Sequence, residues 1–480
     1  MSMDGDFFIV GDKLVEYMGK GGDVVIPDGV TSINGDAFSG SRSPASIMIP
    51  NSVTSIDREA FLCCGSLKSI TIPESIDNIG ELGLHGSALP ADADGYVILK
   101  NVLIRYAGTA SHAAIPEGVT GIGDHAFDDC CFLTAVTIPE SVTSIGEGAF
   151  RCCSSLLHIT IPDGITSVGK NALYGCSSLS GITIPESVNN IGELGLQNSA
   201  LPADADGCVI LKNVLIRYTG TASHVTIPEG VTGIGDEAFE NCRFLTAVTI
   251  PGGVTSIGRR AFENCFSLPG ITVPETVTSI GYRAFCGCHS LTDITIPDGV
   301  TSISYEAFNN CCSLTGITIP KSVTSIGDDA FCGCSSLTGV TMPDSVASIG
   351  EGAFCSCTSL TNITIPKSAA SIGDAAFCGC SSLAGVTIPE GVERIGICAF
   401  QNCISLTSVT IPGSVMDIDP RAFEGCRSLT DITILDSWTE IGGMAFDDCP
   451  VTIHAPVGSC AAEYAEDNDI PLVTDETDGG

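Results

Sequence analysis

Leu314-Thr-Gly-Ile-Thr-Ile-Pro320-Lys-Ser-Val-Thr-Ser-Ile326-Gly-Asp-Asp-Ala-Phe331-Cys-Gly-Cys334 is followed, after two serines, by Leu337-Thr-Gly-Val-Thr-Met-Pro343-Asp-Ser-Val-Ala-Ser-Ile349-Gly-Glu-Gly-Ala-Phe354-Cys-Ser-Cys357. The second run repeats the first 23 residues on. The proline of this unit stands at Pro27, Pro50, Pro73, Pro116, Pro139, Pro162, Pro185, Pro228, Pro251, Pro274, Pro297, Pro320, Pro343, Pro366, Pro389 and Pro412, and Leu435 takes the next slot. Every gap is 23 except two of 43, after Pro73 and after Pro185. A fixed period of this size means stacked rungs, each burying its apolar face on its neighbours, rather than a closed globule with one cleft.

Within a rung such as Leu67-Lys-Ser-Ile-Thr-Ile-Pro73, Ile70 and Ile72 alternate with Ser69 and Thr71. That is strand spacing with one face buried. Proline has no N–H for a ladder and ends the strand. Pro-Glu-Ser and Pro-Asp-Gly are turn chemistry. A second short strand follows, as at Val142–Ile145, and Gly146 breaks it. One helical or 3₁₀ turn carrying Ala149-Phe150 then leads to the cysteine.

The long gaps hold an insert. Tyr96 to Gly108 reads as two strands around Lys100-Asn101, Cys208 to Gly220 is a second copy, and Phe7 to Gly19 has the same spacing to its own proline. At the other end, Val451 to Ser459 and the helix-prone Cys460-Ala-Ala-Glu-Tyr-Ala-Glu-Asp depart from the period, as a unit covering the last apolar rung must. The reading divides the chain into an N-terminal hairpin cap (1–27), a repeat body (28–450) with hairpin inserts near 90–112 and 202–224, a C-terminal cap (451–473) and a disordered acidic tail (474–480).

The run L-T-x-I-T-I-P-x-S-V-T-S-I-G-x-x-A-F-x-x-C resembles the BspA-like leucine-rich repeats over nearly the whole chain. The Gly-Ser-Cys-Ala-Ala-Glu-Tyr-Ala end is similar to the cap of that family. The resemblance implies a β-rich, right-handed solenoid with short strands and one helical or 3₁₀ turn per rung. It also implies a surface adhesin or a repeat protein of unassigned role. The first 27 residues carry Asp4, Asp6, Asp12, Glu16 and Asp23, so no secretory h-region is read there. Cell-surface or secreted placement rests on the resemblance, with a cytoplasmic location as the alternative.

Composition narrows the partner. The 480 residues carry a net charge of −36 and a mean hydropathy of +0.34. Nucleic acid is a poor partner, because phosphate binding needs clustered Lys and Arg. No run reaches the roughly 18 apolar residues of a membrane helix, so no membrane insertion is expected. The protein is expected to be a monomer.

Several columns recur once per rung. Fourteen of nineteen phenylalanines occupy the Ala-Phe slot. Phe285, Phe308, Phe331, Phe354 and Phe377 form the central part of this predicted core spine. Of 25 cysteines, fourteen lie nine residues before the proline slot, among them Cys288, Cys311, Cys334, Cys357 and Cys380. Rungs about 4.8 Å apart lie inside the Cα range of a disulfide, so spacing leaves bridging open. A buried ladder of free thiols is the simpler reading. Four rungs add a second thiol in a C-x-C pair, at Cys286, Cys332, Cys355 and Cys378. That spacing is one residue short of a zinc pair, and no metal ligand set or cofactor is assigned.

An acidic residue follows the proline eleven times, as at Glu275, Asp298 and Asp344. A calcium reading has no D-x-D-x-D-G loop behind it. The seven histidines are scattered, and no G-x-S-x-G, H-E-x-x-H or P-loop run occurs, so no catalytic residue is assigned. Threonines recur on both strands. The candidate partner face is the first of these columns, at Thr318, Thr341, Thr364 and Thr387. The slot four before each proline, at His158, Gly181, Asp293, Gly316, Gly339, Asn362, Gly385, Ser408 and Asp431, varies and is mostly small.

The leading function is a non-enzymatic protein- or glycan-interaction module with an extended repeat surface and an adhesin role. The alternatives are an intracellular scaffold or inhibitor, and a metal- or redox-responsive thiol-rich repeat protein.

Overall fold

The computed structural model describes residues 2–41 and 43–475. It divides into two compact units, Met1–Pro202 and Ala203–Gly480. Each is a β-solenoid. Among the described residues the one α-helix is Cys460–Asp467, and no helix is long and apolar enough to cross a membrane.

Most rungs contribute two short strands that pair in parallel with copies in neighbouring rungs, the first strands of the second unit largely two by two and the second strands in longer runs. Gly316–Thr318 lies beside Gly339–Thr341 with Gly316↔Gly339, Ile317↔Val340 and Thr318↔Thr341 in register. The second strands build a seven-membered sheet from Ser302–Ile303 to Glu440–Ile441 in the second unit. Between the two strands the proline starts a β-turn, closed by the Val323 N–H on the Pro320 carbonyl at 3.1 Å.

The third side of the rung differs from the expected helical or 3₁₀ turn. Among the described residues, 3₁₀ helix is confined to Ile79–Glu81, Leu84–Gly86 and Ile191–Glu193, in the rungs preceding the inserts. Elsewhere the segment is a run of tight turns whose amides alternate in direction. Ala307, Asn309 and Cys311 donate to the carbonyl three residues back, at 3.2 Å each, whereas Glu306, Phe308 and Asn310 donate to Asp328, Ala330 and Cys332 of the next rung, at 3.0, 2.8 and 2.7 Å. A 3₁₀ helix would commit every amide to its own segment. Splitting them stitches the rungs together on this side as well. The alternation requires left-handed backbone at Glu306 (φ 49°) and Asn310 (φ 57°). Asparagine and glycine favour the slot before the cysteine because they tolerate that region.

The phenylalanine column runs through the core. Phe285, Phe308, Phe331, Phe354 and Phe377 are fully buried, and their rings stack with centroids 5.2–5.5 Å apart and planes 1–8° from parallel. In the second unit the stack runs unbroken from Phe239 to Phe446. It begins on Tyr218, 5.4 Å from Phe239, and ends edge-on against Tyr464, 6.0 Å from Phe446.

Each hairpin opens a stack in the same way. The insert strands Tyr96–Leu99 and Val102–Tyr106 are antiparallel, and the second pairs in parallel with Gly121–Ile122. Lys100 and Asn101 both have positive φ (46° and 62°), the signature of a two-residue hairpin turn. Tyr106 stacks on Phe127 at 5.2 Å, as Tyr17 of the first hairpin stacks on Phe38 at 5.2 Å. Cys208–Leu211 and Val214–Tyr218 repeat the arrangement in the second unit.

At the C-terminal end, Thr452–Pro456 pairs in parallel with Asp431–Ile434 and with Leu472–Asp475. Thr474 and Asp475 of the expected disordered tail are therefore strand, because they supply ladder partners to Ala455 and Pro456. The rest of that tail, 476–480, lies outside the described residues. Between the two strands, the helix is capped by Ser459, whose hydroxyl accepts the Ala462 N–H.

Candidate functional site

The cysteine columns carry the most distinctive chemistry of the repeat. All 25 cysteines are free thiols. Most buried ladder thiols donate to a phenylalanine carbonyl one rung back: Cys311 to Phe285, Cys334 to Phe308, Cys357 to Phe331 and Cys380 to Phe354, all at 3.2 Å. Cys288 does the same to Phe262. The thiol thus ties a turn to its neighbour where a methyl group would leave a carbonyl lone pair idle. Burial pushes Cys288, Cys334 and Cys380 up to about 12 and raises Cys311 and Cys357 well above the ordinary thiol value. Sealed, protonated thiols of this kind are poor nucleophiles.

The threonine columns separate on geometry. Thr315, Thr338 and Thr361, directly after the rung leucine, donate their hydroxyls to the carbonyls of Thr292, Thr315 and Thr338 at 3.3, 2.9 and 3.3 Å. Second-strand threonines do likewise, as Thr324 to Thr301 at 3.3 Å. Thr318, Thr341, Thr364 and Thr387 are exposed, and among the described residues their hydroxyls have no hydrogen-bond partner. Three of these four come together. Thr318, Thr341 and Thr364 line a shallow groove of about 760 Å³ with Asp293, Gly316, Gly339 and Asn362, and Thr387 stands outside it.

Glycine makes that groove. A Cβ at Gly339 would meet nothing within 4 Å, and one at Gly316 only the Gly339 carbonyl at 3.9 Å. Side chains would fit there, so their absence opens strand backbone to an approaching molecule. Residue type does not separate committed from free hydroxyls; position does, since the committed threonines follow the rung leucine or stand on the second strand.

A second constellation was not read from sequence. Ligand atoms of Asp128, Asp129 and Cys152 lie within 4.8 Å of one another. Asp128 already faces Arg151 at 3.3 Å and His125 at 3.2 Å, so the guanidinium occupies the place a cation would take. Of the scattered histidines, His85 and His125 meet ring to ring at 4.9 Å. Burial lowers the His85 pKa, which keeps that ring neutral.

The model of the BspA type leucine rich repeat region matches residues 10–86, 105–202, 211–338 and 324–452. No curated protein matches the chain. Among solved structures, a leucine-rich repeat protein from Bacteroides ovatus is 23% identical, with 97% of this chain and 94% of that one covered and a TM-score of 0.48. A leucine rich cell surface protein from Faecalibacterium prausnitzii is 29% identical over 75% of this chain and 93% of its own, with a TM-score of 0.31. The leucine rich repeat protein of T. pallidum is 33% identical over 40% of this chain and 82% of its own, at 0.33.

Proposed function

The chain belongs to the BspA-type leucine-rich repeat family, and from that premise we propose that the first-strand face around Thr318, Thr341 and Thr364 is a contact surface for an extended protein or glycan. The protein is then a non-enzymatic interaction module that acts as an adhesin. The supporting observation is the free column of threonine hydroxyls beside side-chain-free Gly316 and Gly339. Each rung offers a hydroxyl and a methyl with little desolvation cost. Contact energy per rung is small, and affinity accumulates over several rungs. Asp293 at one end and Asn362 at the other give the groove its only rung-specific groups.

Two measurements test this reading. The protein is first screened on glycan and protein arrays, and the hits are repeated with Thr318→Lys, Thr341→Lys and Thr364→Lys combined. Binding should vanish while the circular dichroism spectrum stays that of the parent. A hit that survives the triple change moves the contact elsewhere, to the hairpin inserts at Tyr96–Gly108 and Cys208–Gly220 in the first instance. The adhesin role is tested by adding protease to whole cells. Cleavage supports it, and complete protection assigns the same surface to an intracellular partner.

A further inference from the structure

The seam where the first insert enters the solenoid lacks the stitching found elsewhere. In a regular rung, alternate turn amides donate to carbonyls of the next rung, as Phe127 does to Ala149 at 2.7 Å and Asp129 to Arg151 at 3.0 Å. In the rung before the insert that segment is two 3₁₀ turns, Ile79–Glu81 and Leu84–Gly86. Tyr106 of the hairpin takes the Ala126 carbonyl at 2.7 Å, and the Gly80 carbonyl accepts the Asp124 N–H at 2.9 Å. Among the described residues, no backbone hydrogen bond joins Leu84–Gly86 to the turn at 125–129.

A pair of rings closes the seam instead. His85, in the second 3₁₀ turn, meets His125 of the following rung with centroids 4.9 Å apart and planes 43° from parallel. The His125 Nδ1 lies 3.2 Å from the Asp128 Oδ2. A Cβ at Gly148 would stand 2.7 Å from that ring, so glycine lets it lie against the backbone. The His85 Nδ1 is buried and has no hydrogen-bond partner among the described residues, and the same holds for the Ser87 Oγ and for the Arg105 Nε of the hairpin. Each buried polar atom left without a partner costs stability, and a single 3₁₀ turn has poor hydrogen-bond geometry of its own. The turn is therefore weakly held.

The seam has no place for a charge on His85. The titratable and charged groups that face it are His125, Asp124 and Asp128 of the following rung and Arg105 of the hairpin. Both carboxylates are already engaged, Asp124 by Arg58 at 2.6 Å and Asp128 by Arg151 at 3.3 Å and by His125. Burial lowers the His85 pKa below the ordinary 6.5, and His125 and Arg105 oppose its charge as well. A base held below its ordinary value stabilises the closed seam fully above pH 6.5, and that stability is lost as the pH falls below it. The equivalent slots 112 residues on hold Gln197 and Glu237, so the histidine pair occurs once in the duplication.

We propose that the His85–His125 pair is an acid-released latch on the turn Leu84–Gly86. In acid both rings take a proton, the two cations part, and the turn swings away from the following rung. Leu84, 2% exposed while the latch is closed, then faces solvent. On return to neutral pH the uncharged rings meet again and the turn recloses.

Hydrogen exchange of the whole protein is read by peptide mass spectrometry from about pH 5 to 8 and corrected for the intrinsic rate. In peptides spanning 82–89 the opening constant should rise by up to about tenfold per pH unit below 6.5, while other peptides of the first unit stay level. His85→Gln, which copies the residue at Gln197, should flatten that profile, and His224→Gln, at an exposed histidine, should leave it as in the parent. An equal rise in His85→Gln overturns the proposal, and so does a rise of the same size in every peptide of the first unit. If His85→Gln does not fold, NMR of the parent with ¹³C-labelled histidine decides. A His85 ring that titrates below 6.5, in step with the opening of 82–89, supports the latch, and one that titrates at or above 6.5 overturns it.

Discussion

Replacing Phe308 with alanine removes a ring from the middle of the longest stack. Phe308 is 0% exposed. Its ring lies 5.5 Å from Phe285 and 5.3 Å from Phe331, within 4° of parallel to both. Truncating a buried phenylalanine costs about 3–5 kcal/mol through lost transfer energy and the cavity left behind. The upper half of that range applies here. Two ring partners are orphaned at once, each worth about 0.5–1.5 kcal/mol beyond area burial. The backbone also resists collapse into the hole, since the Phe308 N–H stays bonded to Ala330 and its carbonyl still accepts from Cys311 and Cys334. Leu173 occupies the equivalent slot elsewhere at 1% exposure, so Phe308→Leu should retain most of the stability that alanine loses. Urea unfolding followed by circular dichroism gives the magnitude. Amide exchange gives the location, and nearest-neighbour coupling confines early loss of protection to the rungs on either side. An unchanged urea midpoint would refute the spine. Protection lost evenly from Phe239 to Phe446 would refute the nearest-neighbour account.

The ladder thiols predict an alkaline limit. Their folded pKa of about 12 lies above the ordinary 9.0, so the fold favours the protonated form; their stabilisation is complete below pH 9 and is lost between 9 and 12. Urea midpoints measured across that range should fall more steeply for the parent than for Cys334→Ala. Iodoacetamide at pH 8 should leave Cys288, Cys311, Cys334, Cys357 and Cys380 unlabelled in the native protein and modify all of them after unfolding, as peptide mass mapping can check. Ser459→Ala removes the helix cap and should cost about 1 kcal/mol, with exchange rising first in Cys460–Asp467 and Leu472–Asp475.

Much of the fold was legible because a residue type that recurs once per rung must face the same surroundings each time. The Ile-Thr-Ile strands, the phenylalanine spine and the Lys100-Asn101 hairpin turn all followed from residue type and spacing. The direction of the turn amides was less visible. Glu306 and Asn310 take left-handed backbone in the same slots that Asp329 and Gly333 fill one rung on, and a glutamate gives no sign of that conformation as glycine or asparagine does. The thiols illustrate the same limit at the candidate sites. Cys334 and Cys332 are two residues apart and look alike in sequence, yet the φ of 74° at Gly333 sends one to a buried carbonyl and leaves the other half-buried. The threonines divide likewise, because whether a hydroxyl reaches the neighbouring carbonyl depends on strand position and not on residue type.

The even, one-rung reach of the stitching bonds has a mechanical consequence. In the second unit, most side-chain and backbone links between rungs join positions 22–26 apart in the chain, as with Ser322 to Val300, Thr324 to Thr301 and Cys334 to Phe308. A pull on its C-terminal end therefore loads one rung at a time, as a zip is loaded, and never shears the whole stack. Each rung that yields releases 23 residues, roughly 80 Å of extended chain, while the rungs behind it keep every bond among themselves. Stretched in this way, the protein should lengthen in equal steps at nearly constant force and absorb work without losing its remaining surface.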